Sequence, residues 1–147
     1  MSEISVITIV EALLQLSMII MVGLYFTFSN TVMRVLSSRS DGANTMIEIN
    51  RLILNPIFLG CFFVSGIAGM YFFVSHSGFQ SIAGLVFVIG TTLVTAIFNV
   101  PLNNKLRDST QETLPDVWKT YLTKWVFWNH VRTASAVGSG LLMSLSV

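Results

Sequence analysis

Between Leu52 and Asn104 the chain carries no Asp, Glu, Lys or Arg. Over its whole length 10% of residues are charged and 53% hydrophobic, where a soluble domain carries about 25% charged residues. With a mean hydropathy of +0.74, this deficit excludes a soluble globule and makes the lipid bilayer the first partner. An uncharged stretch of this length hides in lipid most simply as a helical hairpin. Its turn is expected at Ser75-His76-Ser77-Gly78.

Other scarcities narrow the chemistry. Cys61 is the single cysteine, so there is no intrachain disulfide and no statement about redox compartment. It reads as a small apolar residue. The two histidines, His76 and His130, fall at opposite ends of the expected topology, so one chain supplies no bis-His site. A dedicated zinc or copper site is not expected. No phosphate-binding glycine loop, nucleophile elbow or basic surface for nucleic acid is present. The N-terminus lacks a basic region and carries Glu3 and Glu11, which argues against a cleavable signal and for a retained first helix.

The 147 residues are then read as one domain, 1–147, an all-α integral membrane four-helix bundle. Helices are expected at about 4–36, 45–73, 79–104 and 116–146. The first places Thr8, Glu11, Gln15, Tyr25 and Ser29 on one inward stripe at a period of 3.6. Pro56 and Pro101 leave the carbonyls of Leu52 and Ile97 without their helical donors. Pro115 suits a helix start, and Ala134, Ser135, Gly138 and Ser139 suit close helix packing.

All eight Lys and Arg sit in or beside the connections between helices one and two and between helices three and four. By the positive-inside rule both connections are cytoplasmic and both termini exterior, with the long first and fourth helices protruding on the cytoplasmic side. The expected location is a bacterial inner (plasma) membrane, crossed several times. Within it, the inner helix ends bring Asn30, Asn50, Asn55, Asn99, Asn103, Asn129, His130 and Arg132 to similar depth. Unpaired amides in lipid cost several kcal/mol each, so these groups satisfy one another or a ligand in a polar pocket.

On the fourth helix Trp125, Asn129, His130, Arg132 and Thr133 share about 160° of arc at roughly 100° per residue. Each also has a plainer reading: Trp125 and Trp128 as interfacial anchors, Arg132 snorkelling to headgroups, the Asn residues as interhelical glue, and His130 as a satisfied core histidine.

The segments Asn50-Arg51-Leu52-Ile53-Leu54-Asn55-Pro56, Asn99-Val100-Pro101-Leu102-Asn103 and Trp128-Asn129-His130-Val131-Arg132-Thr133 resemble motifs of the small four-helix membrane proteins grouped with the anthrone oxygenases. The likeness covers nearly the whole chain. It implies an oxygenase that acts on a polycyclic aromatic or quinol-like ligand with O2 and without a recognised cofactor. On that implication His130, Arg132, Asn99 and Asn103 are the candidate catalytic residues, His130 as base and the others on the enolate oxygen. Trp125, Trp128, Asn129, Asn50 and Asn55 are the candidate substrate-binding residues. Two other classes stay open: a non-catalytic membrane protein binding a small apolar ligand or partner, and a small proton-coupled carrier built on Glu11. A homo-oligomer is compatible with each.

Overall fold

The computed structural model describes residues 5–146; Ile4, the expected start of the first helix, and Val147 lie outside them. Among the described residues every regular element is helical. Five rods follow one another: α1 (Val6–Ser37), α2 (Gly42–Ile53), α3 (Pro56–Ser75), α4 (Gly78–Arg107) and α5 (Leu114–Ser144). Rods α1, α3 and α4 are long and apolar enough to cross a membrane. Their outer faces expose Ile, Leu, Val and Phe side chains, an apolar surface far larger than a water-soluble monomer tolerates.

The count of four helices needs correction, because the helix expected over 45–73 is two. Its break is built from Leu54 and Asn55. Asn55 Oδ1 accepts from the backbone N–H groups of Ile57 and Phe58 at 3.1 and 3.0 Å, and its Nδ2 donates to the Leu52 carbonyl at 3.1 Å. One amide therefore caps the start of α3 and satisfies the carbonyl that Pro56 leaves without a donor. The other connection in this half, between α3 and α4, falls where the sequence places it. Gly78 adopts φ +61° there, a conformation that side chains disfavour.

Rods α1, α3, α4 and α5 each pack on the next and α5 closes back on α1, while α2 lies across one end against α1 and α4. Two apolar clusters fill the interior. One holds Met18, Met21, Tyr25, Ala68, Phe72, Phe87 and Ala136. The other holds Met33, Leu36, Met46, Leu106, Tyr121 and Trp125. On α5, Asn129 and Arg132 fall between Trp125 of the second and Ala136 of the first, so a polar layer separates two dry ones.

Small residues set the spacing of α3, α4 and α5. A methyl on Gly84 would strike the backbone of Gly69 and Phe73, and one on Gly90 would strike Ser135. Ser139 is buried and donates to the Ala83 carbonyl at 2.8 Å. Of the four small residues expected at this contact, Ser135 and Ser139 make it, whereas Ala134 is exposed and Gly138 has open space around it.

Backbone irregularity is confined to α1 and α4. Wide π-type turns occupy Phe28–Val32, Val88–Leu93 and Thr95–Asn99. The last ends two residues before Pro101, and there the Val100 N–H bonds the Thr95 carbonyl, five residues back. Such turns re-aim side chains and concentrate at functional sites. Here they carry Ser29, Thr95 and Asn99.

Candidate functional site

The polar layer is organised by Arg132, which is 7% exposed. Its Nη2 donates to Asn129 Oδ1 at 2.6 Å, one helical turn back on α5, and its Nη1 donates to Thr95 Oγ1 at 3.1 Å on α4. The guanidinium carbon lies 4.6 Å from the centre of the Tyr25 ring and 5.3 Å from that of Trp125, within cation–π range of both. Asn129 completes the link to α1, its Nδ2 donating to Ser29 Oγ at 2.8 Å and to the Tyr25 carbonyl at 3.3 Å. Thr133 follows with a bond to the same carbonyl at 3.0 Å.

This layer forms one end of a cavity of about 400 Å³. Tyr25, Phe28, Met46, Ile47, Phe58 and Trp125 give it mainly apolar walls, interrupted by Asn50, Thr95, Asn103, Asn129 and Arg132. That size and lining match sites for small organic molecules, which run about 300–1,000 Å³ and place a few polar groups on an apolar surface. Asn103 and Asn50 are tied together through Tyr121, whose hydroxyl donates to Asn103 Oδ1 at 2.8 Å and sits 3.5 Å from Asn50 Nδ2. Arg51 and Arg107 stand on the wall as well. Each is paired with a nearby carboxylate, Arg51 with Glu48 and Arg107 with Asp108. The hydrogen bond from Arg51 holds the Glu48 carboxyl below its usual range.

The nine residues singled out in the sequence separate into groups. Asn50, Asn103, Trp125, Asn129 and Arg132 line the cavity together. Asn99 is buried just behind the wall, donating to the Trp125 carbonyl at 3.3 Å. His130 is exposed, with Nδ1 3.1 Å from Ser29 Oγ, and does not line the cavity. Trp128 stacks on Phe98 at 3.7 Å and 7° beside a separate open groove. Asn55 is exposed and engaged at the helix junction.

Tyr121 is the residue the sequence reading missed. Its signal is the spacing Trp118-Tyr121-Trp125, which stacks three rings down one face of α5 with centroids 5.5 and 5.2 Å apart. At the other end of the molecule Glu11 accepts from the Tyr71 hydroxyl at 2.8 Å and lies 3.3 Å from His76 Nε2. The stripe expected with it runs inward only in part, since Thr8 is exposed and Tyr25 buried.

A family model described as anthrone oxygenase matches residues 44–142, which takes in most of α2, all of α3 and α4, most of α5 and every residue of the cavity outside α1. No curated protein and no solved structure matches the chain.

Proposed function

Because the chain belongs to the anthrone oxygenase family, we propose that it is a membrane-embedded oxygenase of polycyclic aromatic substrates of the anthrone or quinol type. The observation that carries this reading is the cavity of about 400 Å³ whose apolar and aromatic walls end on Asn103, Asn129 and Arg132. A flat fused-ring ketone fits such walls by stacking and burial. Its oxygen then meets fixed donors in a medium of low dielectric, where they act most strongly.

The reaction is self-contained. Loss of a proton from the anthrone methylene gives an enolate, whose ring carbon forms a C–O bond with O2. Cleavage of the O–O bond with loss of water leaves the quinone. The methylene supplies all four electrons that O2 accepts, so no external reductant enters. In this reading Arg132 and Asn103 hold the enolate oxygen, the apolar and aromatic walls bury the rings, and Asn129 and Thr95 fix the guanidinium. His130 acts one bond behind the wall, positioning Asn129 through Ser29, and Asn99 supports the backbone of Trp125. We further place both charged connections on the cytoplasmic side of a plasma membrane, so the cavity opens toward the cytoplasm or the inner leaflet.

Oxygen uptake by the purified protein with anthrone, corrected for uncatalysed oxidation, tests the proposal. One O2 should be consumed per quinone formed, and Arg132→Gln should lower the rate by about 10²-fold or more, the usual cost of losing one oxyanion donor. Tight binding of anthrone with uptake no faster than in buffer would favour a non-catalytic binding protein.

A further inference from the structure

Arg132 is a buried cation for which the described residues offer no counter-ion. The carboxylates that form ion pairs do so elsewhere: Asp41 with Arg39, Glu48 with Arg51, Asp108 with Arg107, and Glu11 beside His76 at the far end of the molecule. Of the three arginines on the cavity wall, Arg51 and Arg107 are thus neutralised locally and Arg132 is not. Its contacts are a hydroxyl, an amide oxygen and two aromatic faces. Arginine stays protonated in proteins, and a buried charge without a partner is costly enough that such residues are paired or face a site.

Three buried polar groups on side chains that line the cavity are also unused, the Tyr25 hydroxyl and two N–H donors. Arg132 Nε and Trp125 Nε1 are both shielded from solvent and neither has a hydrogen-bond partner, although Trp125 is only 4% exposed. Both side chains line the cavity. An unpaired N–H in a buried place costs about 1–3 kcal/mol, and two of them on cavity-lining side chains, one of which carries an unbalanced positive charge, favour an acceptor that carries negative charge. Among the described residues, moreover, the cavity wall contains no Asp, Glu or His. Nothing on it takes up the proton of a neutral ligand acid.

From these observations we infer that the cavity binds its ligand as an anion, an aromatic molecule already ionised as an enolate, phenolate or carboxylate, with the charged oxygen on Arg132 and Trp125 Nε1. This rests on reading the cavity as the substrate site and adds the charge state of what enters it. The ligand ionises before it binds, in water or at the cavity mouth, and the site selects the ionised form. The same fixed positive charge retains the negative charge of the enolate until O2 takes its electrons.

The test uses redox-inert probes, so that its outcome is separable from turnover. Binding of anthraquinone-2-carboxylate and of the matched neutral anthraquinone-2-carboxamide to the detergent-solubilised full-length protein is followed by quenching of tryptophan fluorescence. The carboxylate should bind on the order of 10²-fold more tightly, the usual scale for a buried charge pair. Arg132→Gln should erase that ratio by weakening the carboxylate alone. Should that variant not fold, Trp125→Phe keeps the ring, removes one donor, and should reduce the ratio several-fold. Equal binding of the two probes by the native protein overturns the inference, as does a ratio untouched by Trp125→Phe and Arg132→Gln. Selective carboxylate binding in a protein that consumes no oxygen with anthrone would leave the anion site standing and remove the oxygenase reading. Rapid oxygen uptake with equal probe binding would do the reverse.

Discussion

Asn129 and His130 are neighbours in sequence, yet only one of them reaches the cavity. Successive residues on a helix are about 100° apart, so Trp125, Asn129 and Arg132, spaced by four and three, share a line, whereas Trp128 and His130 flank it on either side. That is why a cluster legible as a set in the sequence is divided in the structure. An arc of about 160° is wide enough to be shared by one helix but too wide for one cavity. The consequence is testable at His130. A general base in direct contact with substrate contributes about 10²–10⁴-fold, and imidazole is the side chain that titrates near neutrality. If His130 acts only through Ser29, His130→Ala should keep the anthrone oxidation rate to within about tenfold, with an unchanged pH–rate profile. A profile that loses an ionisation near neutral pH in the variant would restore His130 as the base.

At the scale of elements, the three rods apolar enough to span a membrane were legible because a lack of charge over tens of residues has few structural solutions, and the turn at Gly78 lies where the sequence places it. The break at Leu54 and Asn55 was less visible. Asn followed by Pro is a helix-start signal, but it sits inside a run apolar enough to read as one continuous helix. The amide of Asn55 is spent on the Leu52 carbonyl and the first N–H groups of α3, which sets it apart from Asn103 and Asn129. Asn55→Ala should therefore destabilise the protein by about 1–2 kcal/mol through the lost cap and carbonyl bond, read as a lower Tm in detergent, while aromatic ligand affinity stays unchanged. A selective loss of affinity with native Tm would return Asn55 to the site. The π-type turns of α1 and α4 had no equivalent signal beyond Pro101, because a single extra residue in a turn leaves the hydrophobic period nearly intact.

For the molecule as a whole, the distribution of charge and the position of the cavity lead to the same side. Arg34, Arg39 and Arg51 surround the connections leading into α2 and α3, and Lys105, Arg107, Lys119 and Lys124 surround that between α4 and α5, while the His76 turn has no Lys or Arg. Single cysteines at Ser77 and Ser109 in a Cys61→Ser background should give labelling by a membrane-impermeant thiol reagent on intact cells at Ser77 only. Labelling at Ser109 alone would invert the orientation and move the cavity mouth to the exterior. The aromatic substrate is proposed to react in the cavity walled by all five helices, and filling that cavity tests this most directly. Ile47 lines the cavity and forms no part of the Arg132 hydrogen-bond network. Steady-state anthrone oxidation by Ile47→Trp should fall on the order of 100-fold with a near-native Tm, and native turnover in a correctly folded Ile47→Trp protein would contradict the account.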